Sequence, residues 1–452
     1  MIGRRLIVVT FVAALALLFG PGAIASETQS QQRQEMLGML AVIPDIGPFR
    51  GLHPVVSYMD VKALREIYGV EAPLSPGRTE RPEFAAINRW GQVMTRFLVN
   101  PFDLPFYVPD DIAERLTAHC GKSENGLPTV LSIDRAIAVG GPLTSETSET
   151  TFDIEKSPLI AYGGDERLAS ADILGAALSA RGFVRSGDDS SALWKRREHD
   201  TAGEESPAAV QALGGPSFDY LTRLLEPATE VGASRDTVLH SPFPGAVEFV
   251  LKAEAEDIDS LADDFDVKAL ALALTDGDLF NGALIQCVIF NYVFTVENST
   301  VPLVGPYVSA KQKTDFAVWL RDQLKPGLPP YRWGAMADRQ DGDDEVFVVA
   351  LSYESVELAE TAAKIVAARL PDDQFNPHRS RLGDLFDLEI QSHVYRVDRL
   401  GKAVAIVTLR RRNPVTPEID LSKHGKLPKL LLDSLHIFRA APLIVTPSDG
   451  AL

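Results

Sequence analysis

Three segments of the chain share one pattern: a short apolar run, a polar capping residue, and then apolar residues at helical spacing. In the clearest copy, the run 346–351 precedes Ser355, and the apolar residues that follow are Leu358, Ala362, Ile365 and Val366. A continuous apolar run predicts a buried strand, and spacing of three and four residues predicts an amphipathic helix that begins at the cap. The pattern therefore predicts strands and helices packed around a shared core.

The other two copies and the turn signals refine this prediction. In one copy, run 54–58 leads to Asp60 and a helix that ends at Gly69; in the other, run 159–162 leads to Ser170 and a helix that ends at Gly182. Asp341-Gly342 and Leu400-Gly401 indicate hairpin turns. We therefore expect an α+β fold with antiparallel or mixed sheets, helices packed on one face, and ferredoxin-like βα units.

The N-terminal segment has the order of regions that is typical of a secretory signal peptide. Arg4 and Arg5 precede an apolar run at 6–19, which is followed by Gly20-Pro21-Gly22 and by the small residues Ala23 and Ala25. This order predicts cleavage after Ala25 and a secreted or periplasmic protein with no integral membrane segment after cleavage. The alternative is an uncleaved anchor, although the run is shorter than the ~20 residues that span a bilayer.

Changes in composition along the chain divide it into five predicted parts. These are a signal peptide at 1–25, a flexible lead at 26–36, an N-terminal α+β domain at 37–216, a C-terminal α+β domain at 217–440, and a loose tail at 441–452. The boundary between the domains follows a polar stretch rich in glycine and proline at 198–216, which predicts a long surface loop.

The overall composition favours a folded protein with an acidic surface. The chain is 45% hydrophobic and 23% charged, and its formal net charge is −18. A negative balance of this size argues against nucleic acid as a partner, because phosphates are neutralised by lysine and arginine.

Cys120 and Cys287 are the two cysteines of the chain. Export through an oxidising compartment makes a disulfide between them a candidate. The alternative is that Cys287, in the apolar run ALIQCVIF, is a buried free thiol. Neither cysteine has the spacing of a metal ligand.

No catalytic or metal-binding motif stands out, so the catalytic residues are unknown and we expect neither a metal nor a cofactor. Two acidic clusters have structural explanations: 253–266 as the solvated face of a helix, and 338–345 as a hairpin turn, with calcium as the alternative for each. The aromatic run at 89–108 is interpreted as core, with a binding surface as the alternative. The histidines lie at 53, 119, 199, 240, 378, 393, 424 and 436 without ligand spacing.

The segments PLIAYGG, ILGAALSARGF and FVVALSYESVELAETAAKIVAARL resemble patterns in uncharacterised exported bacterial α+β proteins of no assigned activity. The resemblance covers the chain from about residue 150 onward and follows apolar spacing. It implies no functional residue.

These observations favour an exported, non-enzymatic binding or interaction module whose partner is an unknown protein or small molecule. The alternative is an extracytoplasmic hydrolase whose site is assembled only in three dimensions, as paired carboxylates often are. A solute-binding component of a transporter is a third hypothesis, but it requires two similar lobes around a hinge, which the sequence does not indicate.

Overall fold

The computed structural model describes residues 21–45, 55–60, 62–63, 133–140, 159–164, 174–175, 178–179, 182–186, 192–196, 228–291, 293–296, 310–341, 344–370, 388–411 and 443–445. The strands are β1 Val55–Asp60, β2 Ile133–Gly140, β3 Leu159–Gly164, β4 Phe183–Ser186, β5 Leu193–Arg196, β6 Glu230–Ser234, β7 Thr237–Ser241, β8 Ala283–Phe290, β9 Gly334–Asp341, β10 Asp344–Tyr353, β11 Leu388–Val397 and β12 Lys402–Arg411. The helices are α1 Pro21–Leu40, α2 Ala246–Ala255, α3 Phe265–Leu274, α4 Ala310–Gln323 and α5 Val356–Arg369. None of the described helices combines the length and the apolar character needed to cross a bilayer.

All twelve strands belong to one antiparallel sheet, so the α+β prediction is confirmed. Their order is β11-β12-β10-β9-β8-β1-β2-β3-β7-β6-β5-β4. Strands of the two predicted domains, 37–216 and 217–440, pair directly, since β1 pairs with β8 and β3 with β7. Such pairing joins segments that are far apart in the chain, which local composition does not reveal.

The centre of the sheet is buried on both faces. Alternate residues of β10 enter two different cores: Val346, Val348 and Ala350 face a first core, while Phe347, Val349 and Leu351 face a second. A strand covered on both faces has no solvent side, which explains why this run is continuously apolar.

Helices lie on both faces of the sheet, rather than on one face as the sequence suggested. Helices α1, α2 and α3 pack in the first core, and α5 packs in the second. On the same side as the second core, the helical residues Leu174 and Leu178 pack with Phe183 and Trp194 in a third core. A periodic apolar stripe shows that a helix has a buried side, but not which face of a sheet it covers. The ferredoxin-like grouping stays a prediction.

The structure shows the predicted strand of all three units and the predicted cap of two of them; the third cap, Ser170, and the predicted helix end at Gly69 lie outside the described residues. After β1, Asp60 accepts a hydrogen bond from the backbone N–H of Ala63 at 2.7 Å. After β10, Ser355 caps α5 by accepting from the N–H of Leu358 at 3.3 Å. Gly182, before β4, has the predicted left-handed conformation with φ of 80°. The local sequence patterns therefore specify these elements.

The order of elements repeats on the two sides of the β1–β8 pair. Outward from this pair, one half of the sheet runs β8, β9, β10, β12, β11, and the other runs β1, β2, β3, β5, β4 with the hairpin β6–β7 inserted. Helix α1 precedes the first strand of one half, and α3 precedes the first strand of the other. The sheet is thus two half-sheets of similar order joined edge to edge.

The segment 26–36, predicted as a flexible lead, is helical instead and forms part of α1. Its Gln32 side chain is buried and donates to Asp60 Oδ2 at 2.6 Å and to the Leu284 carbonyl at 2.7 Å, while its own oxygen accepts from the Leu284 N–H at 2.9 Å. Met36 is also fully buried. The polar composition of the segment does not indicate this packing, because a glutamine can be buried when all its polar groups are hydrogen-bonded. Cleavage after Ala25 would leave these contacts in place.

Part of the segment predicted as a loose tail lies in the second core. Leu443 and Ile444 are fully buried, and the Arg369 guanidinium donates to the Ile444 carbonyl at 2.8 Å. The Val445 N–H donates to the Phe294 carbonyl at 2.7 Å. For the other residues of 441–452, which lie outside the described part, the loose tail stays a prediction.

Candidate functional site

The candidate site is the outer edge of β11, the last strand at one end of the sheet. β11 pairs with β12 over ten residues, from Leu388↔Arg411 to Val397↔Lys402. Among the described residues, no strand pairs with its other side. An edge strand presents backbone N–H and C=O groups that can pair with another chain, so β11 offers a ten-residue template for strand addition.

A tight hairpin holds β11 beside the buried strand β12. Residues Asp398–Leu400 form a short 3-10 turn, and Gly401 closes it in the left-handed conformation with φ of 62°. Glycine accepts this conformation without the steric cost that a Cβ would add. The sequence predicted a hairpin turn at Leu400-Gly401, and the strand pairing confirms it.

The side chains of β11 alternate between the two faces of the sheet. Ile390 and Val394 are partly buried against the second core, beneath α5, and Ser392 lies exposed between them on the same face. On the other face, Tyr395 packs against the first core and Val397 is buried in it. Both faces of the strand therefore offer apolar surface beside the outer edge that an added strand would extend.

Polar side chains occupy the rest of the face that Tyr395 shares. Gln391 donates to Glu389 Oε1 at 2.5 Å. The Nε2 atom of His393 is buried without a hydrogen-bond partner among the described residues, and burial lowers the pKa of this histidine. Burial, followed by a hydrogen bond to Asp276, raises the pKa of Tyr395. Burial therefore favours the neutral forms of His393 and Tyr395 on this face.

The opposite end of the sheet offers a much smaller edge. β4 spans four residues, Phe183–Ser186. The guanidinium of Arg196, on the neighbouring strand, lies 5.0 Å from the ring centroid of Phe183. Short edge strands and nearby charges are common protection against unwanted pairing. Of the two ends, β11 presents the longer edge.

The described residues also contain a buried polar cluster that joins α3 to the ends of β10 and β12. Asp266, only 2% exposed, accepts from Ser352 Oγ at 2.7 Å and pairs with Lys402 Nζ at 3.1 Å. Glu354 and Arg332 continue the network to the surface. Because Ser352 is 1% exposed and its hydroxyl is bound to a carboxylate, we interpret the cluster as bracing between elements.

The acidic cluster 253–266 differs from the predicted single solvated helix face. Helix α2 ends at Ala255, and α3 begins at Phe265 with Asp264 as its cap. Asp266 is buried in the network with Lys402, whereas the apolar side chain of Phe265 is 61% exposed. A turn separates the two helices, so the residues before and after it do not belong to one helix face. The spacing of a single helix therefore does not describe the segment.

The other acidic cluster lies at the predicted hairpin. Asp341 pairs with Asp344 at the end of β9 and β10, and both carboxylates contact the guanidinium of Arg410, with 2.8 Å for Asp344. Arg410 therefore offsets part of the negative charge of this cluster. Within the described ranges, no group of three or more histidine, cysteine or acidic side chains is arranged to hold a metal ion.

The structure places two of the histidines and one of the cysteines. His240 is buried, and its ring stacks on Tyr162 with centroids 5.4 Å apart. Cys287 is buried in β8 opposite Tyr58, has no disulfide partner among the described residues, and burial raises its thiol pKa. Cys120 lies outside the described residues, so the Cys120–Cys287 disulfide stays a prediction.

Several other predicted features also lie outside the described residues. They are the apolar run of the signal peptide at 6–19, the aromatic run at 89–108, the surface loop at 198–216, and the histidines at 53, 119, 199, 378, 424 and 436.

The sequence predicted β11 as a strand but not as an edge. The signal is the contrast between the two strands of the hairpin: β12 is continuously apolar over AVAIV, whereas Glu389, Gln391, Ser392 and His393 interrupt β11. Such side chains are uncommon in a strand that is paired on both sides and covered on both faces, so a run of them favours an edge. The Asp266 cluster has no comparable signal, because its members are far apart in the chain.

No protein-family model, curated protein or solved structure matches this chain.

Proposed function

We propose that this protein is an exported interaction module that binds other protein chains by strand addition at the outer edge of β11. In strand addition, backbone hydrogen bonds supply affinity, and the side chains beside the edge supply selectivity. The proposal assigns a binding role to the molecule rather than a catalytic one.

The observation that carries the proposal is the difference in length between the two edge strands of the sheet. β11 presents ten residues at one end, and β4 presents four at the other. A long edge strand is a liability that folded proteins ordinarily shorten, cover or charge. Retaining such an edge next to partly buried Ile390 and Val394 is consistent with its use for binding.

Two further features support a binding role outside the cytoplasm. The N-terminal order of Arg4 and Arg5, apolar run and small residues is that of an export signal. In the described part of the chain, Asp266, Lys402 and Ser352 brace one element against another rather than lining an open site. The alternative, an extracytoplasmic hydrolase, stays a prediction.

Binding is tested by selecting linear ten-residue peptides from a random display library against the purified protein. Amide hydrogen exchange is then measured for β11 with and without a selected peptide. We expect selected peptides to alternate apolar and polar residues and to slow exchange in β11. Peptides that bind without protecting any β11 amide would refute the proposed site.

Export is tested separately by fractionating the native cells and sequencing the N-terminus of the protein. We expect Ser26 as the first residue, in the secreted or periplasmic fraction. Recovery of the intact chain from the cytosol would refute the extracytoplasmic part of the proposal and leave the binding part to the peptide experiment.

A further inference from the structure

We infer that the partner at the β11 edge is β11 of a second copy of this chain, paired antiparallel across a two-fold axis at Ser392. This inference rests on the proposed function, because it names the partner of the same edge. It would extend the sheet continuously from one copy into the other.

Symmetry restricts how two identical edges can pair. In an antiparallel pair, opposed residues lie on the same face of the sheet, so a two-fold axis between equal strands must be perpendicular to the sheet and pass through one residue position. With the axis at Ser392, Ser392 meets its own counterpart, Ile390 meets Val394 of the second copy, and Gln391 meets His393 of the second copy.

The apolar pairing favours this register. Ile390 and Val394 lie on the α5 face and are partly buried against the second core. In the dimer the pair of Ile390 and Val394 would occur twice, once on either side of the axis, which extends the apolar surface under α5. Directly opposed β-branched side chains are favourable cross-strand pairs.

The polar residues favour the same register. Gln391 and His393 would be opposed on the other face, where an amide can hydrogen-bond an imidazole. Moving the axis by one residue, to His393, would oppose Ile390 to Arg396 and Glu389 to Val397, which places each charge of the strand against an aliphatic side chain. The Ser392 register opposes Glu389 to Tyr395 and Arg396 to Leu388, so only one charge of the strand faces an aliphatic side chain, and it opposes no like charges.

The molecule already contains a junction of this kind. β1 and β8 join two half-sheets of similar element order by antiparallel edge-to-edge pairing, with Tyr58 opposite Cys287. The chain thus uses strand pairing between comparable half-sheets at its centre. Pairing of two β11 edges would repeat that mode at its end.

The experiment is sedimentation equilibrium of the full mature chain and of charge variants at the axis. In Ser392→Lys or Ser392→Asp, two like charges would be opposed in the homodimer, while the exposed side chain leaves the fold of one copy unchanged. We expect a wild-type dimer, a dissociation constant raised at least about tenfold in either variant alone, and restored dimerisation when the two variants are mixed. Thr314→Lys, at an exposed position of α4, is the matched charge control and should dimerise like the wild type.

A monomeric wild type, or a Ser392→Lys variant that dimerises as tightly as the wild type, would overturn the inference. The peptide experiment distinguishes failure of this inference from failure of the proposed function. If peptides still bind and protect β11 in a monomeric protein, the edge is a binding site for another chain and only the identity of the partner is wrong. In a dimeric protein, we expect the selected peptides to dissociate the dimer.

Discussion

At the scale of single residues, burial of His240 predicts a dependence of stability on pH. This side chain is 3% exposed, its Nδ1 atom has no hydrogen-bond partner among the described residues, and burial lowers its pKa from 6.5 to about 4. Between pH 6.5 and about 4, His240 is therefore protonated in the unfolded chain and neutral in the folded chain. Its contribution to stability is complete above that pH, is lost as the pH falls towards 4, and then levels off.

The expected loss from His240 is about 3 kcal/mol between pH 7.5 and pH 4. His240→Phe keeps an aromatic ring against Tyr162 and removes the titration. Urea unfolding at a series of pH values should show a shallower decline for the variant than for the wild type. Equal declines would show that His240 is not the group responsible.

Asp266 and Glu354 give a second prediction at this scale, because both contact Lys402 but differ in exposure. Asp266→Asn removes the buried charge that Lys402 and Ser352 share, and we expect a loss of about 3 kcal/mol in the free energy of unfolding. Glu354 is 62% exposed at its side chain, so Glu354→Gln should cost less than about 1 kcal/mol. Equal losses in urea titrations would contradict the bracing role of Asp266.

At the scale of elements, two glycines allow a matched test of backbone conformation. A Cβ at Gly401 or at Gly38 would meet nothing within 4 Å, so any effect of alanine arises from the backbone. Gly401 has φ of 62° in the β11–β12 turn, whereas Gly38 lies inside α1. We expect Gly401→Ala to cost about 1 kcal/mol and Gly38→Ala to stabilise by up to about 1 kcal/mol.

Thermal unfolding of both variants measures this difference. A stabilised Gly401→Ala variant would contradict the left-handed turn, and a destabilised Gly38→Ala variant would contradict the helical conformation of α1 at Gly38.

The elements that were predictable from sequence are those specified by nearby residues. β10, Ser355 and α5 follow one another in the chain, and their apolar spacing and cap chemistry indicate them directly. The sequence did not predict the helix at 26–36, because polar residues such as Gln29 and Gln32 are usually exposed to solvent. Their burial depends on carbonyls near residue 280, more than two hundred positions away, so local hydropathy does not report it.

At the scale of the whole molecule, the sheet was predictable only in part. Hairpins β9–β10 and β11–β12 have local turn signals, but the pairs β1–β8 and β3–β7 join distant segments and decide that there is one sheet. The same long-range order decides which strand is outermost. The polar interruptions of β11 indicate an edge only after its position beside β12 is known.

The most direct test of the outer edge is residue-resolved amide hydrogen exchange across 388–397, measured at low and at high protein concentration. In an antiparallel edge strand, alternate amides donate to the neighbouring strand and the others face outward. We expect alternating slow and fast exchange in dilute protein, and slow exchange throughout β11 when a second copy pairs with it. Uniformly slow exchange at every dilution would contradict an outermost β11, because another part of the same chain would then cover its edge.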